Sequence, residues 1–504
     1  MKKQFLLWLT VIALLLSGLC ACRGSWQTPA ESTKKPADTD PGGTVDPAYD
    51  HDIGGTELTV YTSVQSSFSS TSSNTYIEGS NEATADAVAY SAYYRNQELQ
   101  DRMNYSVKYI HVDSPYATVP QYFRPLFRAE EPMDLIISKL APMATLTLEG
   151  HFVNVAGSPA VDWWDSYWYY DYMESLSLDN GNSMYLMASD YFIDVLRSTN
   201  ILIYNIDLME NTFSSAGGNA ALLEKVNSGE WYLETLLTYI SDAYRSSGNS
   251  QKGDGDTFGY VSDNIFGALI PFVVSSGLKY VEQDESSLKL AMDVDRCDSL
   301  LKLLNRLFFN DGTAPYTRAS ETRWDLNLPV EGDAYFLAGK ALFVGAKRFG
   351  NLEQMTDAPF RYGVLPYPKM DESQEKFITS SHDTTEIGAI PRGCTNAEAV
   401  MTVVNALSKK TGNTVMTKYY TETLKLRYSV NSEQAQIIDI IHDNYASAFP
   451  LAYANYCNDA FIRKAFYEPF LNGDDSFAGN YRTFKDATDS QLKKMLKDWT
   501  KISG

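Results

Sequence analysis

The chain has 504 residues, 42 basic against 63 acidic side chains, a formal net charge of −21 and 13% aromatic residues. So acidic a surface repels phosphate backbones, which excludes nucleic acid as a partner. Cys297, Cys394 and Cys457, the cysteines beyond Cys22, give no disulfide framework and no metal spacing, and read as small buried hydrophobes. The five histidines are equally scattered, and no cofactor or metal is expected.

At the N-terminus, Lys2 and Lys3 precede an apolar run from Phe5 to Leu16, then small Ser17, Gly18 and Ala21. That order is a secretory signal, and the run is shorter than the roughly 20 residues of a membrane span. The stretch Leu19-Cys20-Ala21-Cys22 resembles the bacterial lipoprotein cleavage box. It implies removal of residues 1–21, a lipid on Cys22 and attachment to the outer side of the cell membrane. Residues 22–55 are rich in Ser, Thr, Pro, Asp and Gly, and read as a disordered tether.

Folded structure is expected from Thr56. Glu57–Val64, Tyr105–Val112 and Met133–Leu140 read as strands, with a helical period over Ala83–Met103. Alternating strands and helices predict an α/β unit with a largely parallel sheet and ligands at the carboxyl ends of its strands. A second unit opens near Val153. Met184–Ala188, Asn200–Ile206, Ala341–Gly345, Tyr362–Pro366 and Thr385–Pro391 read as strands; Glu230–Tyr239, Asp298–Phe309 and Asn396–Leu407 as helical. Residues beyond Lys410 read as mostly helical.

Four stretches, taken in order, resemble the extracellular solute-binding proteins (family 1 type) of bacterial ABC importers, in the carbohydrate-binding group. They are LRSTNILIYNIDLMEN (196–211), GEWYLETLLTYISDAY (229–244), YFLAGKALFVGAKRFGNLEQM (335–355) and the RYGVLPYPKM and EIGAIPRGC segments within 361–408. Tyr232 stands where the second segment usually has Thr. The resemblance implies a two-lobe fold with a hinge: lobe one from 56–151 and 361–410, lobe two from 152–360, and a helical tail, 411–504, packing mainly on lobe two. It also implies a lipid-anchored receptor that captures a small solute, most simply a sugar or oligosaccharide, and delivers it to the membrane subunits of an ABC importer.

Sugars are held by flat aromatic rings and a few hydrogen-bonding groups. Val161–Met173 (VDWWDSYWYYDYM) is the densest aromatic stretch, and Trp163, Trp164 and Trp168 are either sugar platforms or wedges packing the crossing between lobes. Arg348 lies past the Phe343–Gly345 strand end, where a ligand is met in such sheets, and reads as a ligand fork or a surface residue. Asp190 follows another strand end and is a ligand acceptor or a helix cap. His382, beside Asp383 in the loop before a strand, and Ser63, near the end of the first strand, complete the candidates; each is equally readable as a loop residue. Lys252–Gly259 (KGDGDTFG) carries alternating Asp but lacks an EF-hand loop, which favours a turn.

No hydrolase, metalloprotease or phosphate-loop signature is present. The binding reading therefore leads, with a secreted carbohydrate-active enzyme and a sensory lipoprotein uncoupled from import as alternatives.

Overall fold

The computed structural model describes residues 46–64, 72, 74–249, 253, 255–262, 265–284, 287–309, 312–313, 332–355, 358–419, 432–446, 449–474 and 476–503. The signal segment, Cys22 and most of the expected tether lie outside the described residues. The last ten residues of that tether do not hang free. Tyr49 is buried, Asp46 pairs with Lys409 at 2.6 Å, and the Ile53 and Gly55 N–H groups donate to Met103 and Asn104 carbonyls. The polar composition of 46–55 hid one large ring, and that ring docks the segment.

Two four-stranded sheets organise the molecule. The first has the order β10-β3-β1-β2, built from β1 (Thr56–Ser63), β2 (Tyr105–Val112), β3 (Leu135–Lys139) and β10 (Glu386–Ala389). β1 pairs in parallel with β2 and β3, while β10 runs antiparallel to β3. The second sheet has the order β5-β8-β4-β9: β4 (Asn200–Asn205), β5 (Phe258–Val261), β8 (Ala341–Arg348) and β9 (Tyr362–Leu365). β5 and β8 are parallel, and β4 is antiparallel to both of its neighbours. A hairpin of β6 (Val281–Gln283) and β7 (Leu288–Leu290) completes the strands.

Local chemistry explains the elements. Helix Ala87–Met103 starts at 87, later than its period suggested, because the Asp86 carboxylate accepts from the Val88 and Ala89 N–H groups; it ends on Asn104 in the left-handed region. Helix Val294–Phe309 buries Cys297, Leu300, Leu301, Leu304, Leu307 and Phe308 at helical spacing. Burial pushes the Cys297 and Cys457 thiols up to about 12, as small core hydrophobes require. Met184–Ala188 is not a regular strand; it makes one bridge, Met187 to Gly388. In the 252–259 segment, the Asp256 carboxylate accepts from the Ser247 and Gly253 N–H groups and from the Tyr244 hydroxyl, which makes it a turn organiser.

The chain passes between the sheets at three isolated bridges, together called the ladder. Phe152 bridges Pro391, Met187 bridges Gly388 and Thr199 bridges Ser381. A Cβ on Gly388 would stand 2.2 Å from the Phe192 ring, so the close approach needs glycine. The C-terminal helix Phe477–Ser503 touches both halves: β7 and helix Val294–Phe309 on one side, helix Leu140–Leu148 on the other. No helix among the described residues is long and apolar enough to cross a membrane.

Candidate functional site

β3 ends at Lys139, and the next N–H, of Leu140, donates to the Thr385 carbonyl; β8 ends at Arg348, and the next N–H, of Phe349, donates to the Thr199 carbonyl. β8 runs on to Arg348, three residues past the expected strand end at Gly345. Between the pairs Ile201–Lys347 and Ile203–Val344, two residues of β8 face the single Leu202 of β4. Ala346 takes φ 57° in this bulge, and its N–H donates to the Tyr367 hydroxyl at 3.2 Å. A bulge re-aims the side chains that follow it, here Arg348. The Arg348 N–H is held by Asn351 Oδ1 at 2.8 Å.

Arg348 meets residues from the other half. Its charge acts on Asp383 and on His382, in the loop that enters β10. His382 Nδ1 lies 2.6 Å from Asp383 Oδ1 and 3.0 Å from Thr384 Oγ1. Tyr116, in the loop after β2, is buried enough to raise its phenol well above the ordinary value, and the neighbouring Asp383 carboxylate raises it further while Asn455 of the tail opposes this. Tyr116, Arg348, His382 and Asp383 are all partly open to solvent.

The electrostatics are mutual. Burial raises the Asp383 carboxyl, but His382, Tyr116 and Arg348 together bring it below its ordinary value. Burial and the Arg348 charge lower His382, against the pull of Asp383. Burial also pulls the Arg348 guanidinium down to about 10, resisted by Asp383, Tyr367 and Asp194. The result is an anion, a cation and a phenol converging where strands of both halves end. Such a set can donate to and accept from hydroxyl groups.

A sealed ion cluster lies alongside. Arg197 is fully buried; its Nε and Nη2 reach Glu353 Oε1 and Oε2 at 3.0 and 3.3 Å, and Nη1 reaches Asp194 at 3.4 Å. Its guanidinium stands 4.9 Å from the Tyr76 ring centroid, and Tyr419 donates to Glu353 at 3.3 Å. Tyr76 follows β1 and Glu353 follows β8, so this cluster joins the two halves.

The other expected residues fall elsewhere. Trp168 is 4% exposed, packed in the core, and its Nε1 donates to Asn405 Oδ1 at 3.0 Å. Trp163 packs on it at 4.9 Å and donates to the Ala156 carbonyl at 3.0 Å. Trp164 is 73% exposed and lies against Tyr170, ring centroids 4.4 Å apart and tilted by 35°. Asp190 is neither a helix cap nor a neighbour of Arg348. It accepts from Tyr169 at 2.7 Å, and His442 Nε2 is 3.7 Å away. Ser63 is buried at the end of β1, one step beyond the Thr62–Ile137 pair. Sequence reasoning passed over Tyr116, Asp194, Arg197 and Glu353; the strand-end rule applied to β2 would have found Tyr116.

No protein-family model and no curated protein sequence matches the chain. Solved structures do. The cyclic alpha-maltosyl-1,6-maltose binding protein from Arthrobacter globiformis is similar at TM-score 0.56 and 14% identity, over 87% of this chain and 99% of its own. A family 1 extracellular solute-binding protein from Alicyclobacillus acidocaldarius is similar at TM-score 0.54 and 11% identity, over 87% and 98%. The GacH receptor of Streptomyces glaucescens, solved unliganded and with acarbose, is similar at TM-score 0.52 and 14% identity, over 87% and 99%. The chain has the fold of the extracellular solute-binding proteins. In that fold the segments singled out at 196–211, 335–355 and 361–408 carry β4, β8 and β9, three of the four strands of the second sheet, and β10 of the first. These three structural neighbours are binding proteins or receptors.

Proposed function

We propose that this chain is a lipid-anchored receptor that captures a carbohydrate between its two halves and passes it to an ABC importer, without chemistry of its own. The observation that carries this reading is the convergence of Tyr116, Arg348, His382 and Asp383 on the ladder, partly open to solvent and drawn from both halves. Neighbours of the same fold support the ligand class: their own ligands include acarbose, and maltotetraose in a cyclo/maltodextrin-binding protein.

In this mechanism the ladder is the hinge. Parting the halves opens the Arg348–Asp383 floor, and a sugar then bonds both and draws them together. Asp383 accepts from sugar hydroxyls; Arg348 and Tyr116 donate to them. Ser63 sits at the edge of the same strand ends. Calorimetry of the mature chain with maltotetraose and with acarbose tests the reading. Saturable binding with the sugar recovered intact is expected; cleavage of maltotetraose, or no binding to a wider sugar panel, would overturn it. The anchor is tested separately: Cys22→Ser should lose labelled palmitate.

A further inference from the structure

The crossing ladder has a second edge. The Phe349 N–H donates to Thr199 O, the Asn200 N–H to Ser380 O, and the Thr379 N–H to Asn444 O. Arg348 stands beside the first of these rows and Tyr445 beyond the last. At the Tyr445 edge lies a cavity of about 600 Å³ that shares no lining residue with the Tyr116–Arg348–Asp383 group. Its size falls in the roughly 300–1,000 Å³ range of small-molecule sites.

Its lining comes from separate parts of the fold. Arg296, in helix Val294–Phe309, and Lys376, on the segment between β9 and β10, supply cations, and Phe377 a ring. Asp171, in helix Tyr170–Glu174, and Asp443 supply carboxylates, and Tyr445 a second ring. Arg296 is already oriented, with Nη1 on Asp371 at 3.1 Å and on Ser373 at 2.9 Å. A sugar hydroxyl donates to a carboxylate while it accepts from a cation, and the C–H face of the sugar suits an aromatic wall.

We propose that this cavity is a second carbohydrate site, for one or two sugar rings, whose occupancy is coupled to movement about the ladder. The ligand class rests on the sugar reading above. The coupling rests on connectivity: the cavity segment 373–378 runs directly into ladder residues 379–381, and Tyr445 bridges Thr379 and bonds Thr199. A sugar that touches both the loop and Tyr445 binds differently as the ladder bends, so each site alters the other's affinity by the same factor.

Native mass spectrometry and calorimetry with maltose and maltotetraose at millimolar concentration read the stoichiometry. Two sugars per chain are expected. Asp171→Ala with Lys376→Ala, both surface side chains, should reduce this to one without changing the melting temperature, and should shift the remaining affinity several-fold. Arg348→Met should spare the cavity site and remove the other. One sugar per chain, lost in Arg348→Met and untouched by the Asp171/Lys376 pair, overturns the second site and leaves the receptor reading standing. Absence of saturable binding by either sugar overturns both.

Discussion

Two arginines near the ladder, Arg197 and Arg348, stand on either side of Asp194 and behave in opposite ways. Around Arg197 the costs of burial are outweighed: Glu353, Asp194 and Tyr419 drive its pKa up although desolvation pulls it down. Around Arg348 burial wins, and the guanidinium is drawn down to about 10 despite Asp383, Tyr367 and Asp194. Arg197 is sealed, at 0% exposure, whereas Arg348 is partly open. The same residue type thus serves as a lock in one place and as a cation partly open to solvent in the other. Only the second kind is fit to gain from a ligand.

The largest effect is expected at the lock. Removing one partner of a buried ion pair strands the other, at about 3–5 kcal/mol. Glu353→Ala should therefore lower unfolding stability by about that much in urea titration. If it lies within about 0.5 kcal/mol of the parent, the range of neutral surface changes, Arg197 is not the lock described. Trp168→Ala belongs in the same range, about 3–5 kcal/mol, because its ring fills core and its Nε1 is bonded to Asn405.

The reachable arginine should show the reverse profile. Arg348→Met removes hydrogen bonds from a charged group, worth about 1.5–3 kcal/mol each. Calorimetry should show sugar affinity falling roughly 10- to 150-fold, with a smaller loss of melting temperature than Glu353→Ala gives. Equal damage to stability in both variants would make Arg348 a second lock and erase the contrast.

Much of this architecture was legible in the sequence, and the failures have physical causes. β2 spans Tyr105–Val112, residue for residue the expected strand, because polar and apolar positions alternate over much of a half-buried strand. Met184–Ala188 misled because a continuous apolar run signals burial and not strand geometry; Met184, Tyr185, Leu186, Met187 and Ala188 are all buried in a crossing segment. β5 went unseen because four residues next to an Asp/Gly turn carry too little pattern. Arg348 was singled out because strand ends locate ligands in α/β sheets, and His382 for its place in the loop before a strand. Tyr116 and Glu353 were not, since their roles depend on partners far along the chain, Asp383 and Arg197. The tryptophans show the limit of composition: three rings within six positions divide into a wedge, a brace and an exposed plate, and only packing decides which is which.

The two histidines on either side of the ladder extend the comparison to pH. Burial lowers His442, but Asp190 at 3.7 Å and Asp443 at 2.9 Å outweigh it and raise the ring to about 9 from 6.5; the Tyr169 and Tyr445 rings flank it. A raised value means the folded state holds the proton more tightly. This contribution is complete below about pH 6.5 and is lost as pH rises through about 9. His382 is shifted down, so its contribution runs the other way and is lost as pH falls below 6.5. Urea titrations of the parent and of His442→Gln across pH 6 to 9.5, roughly the window these shifts define, should show the alkaline decline flattened in the variant. An unchanged decline would assign it to other groups.

The smallest effect should come from Trp164, and it is informative for that reason. Its ring is 73% exposed, and its main contact is Tyr170. A surface substitution of this kind costs within about 0.5 kcal/mol, so Trp164→Ala should melt like the parent while Trp168→Ala does not. Its ring contact is with Tyr170 and not with a residue of the Arg348 group, so affinity at that site should stay within about twofold, below the 0.5–1.5 kcal/mol that an aromatic stacking contact contributes. The Trp164 backbone is pinned by Asp162 Oδ1 at 3.0 Å, so the change removes the ring without releasing the turn. A drop in maltotetraose affinity of tenfold or more, with melting unchanged, would move Trp164 into the binding surface and make the exposed plate, and not the Arg348 floor, the place where sugar is first met.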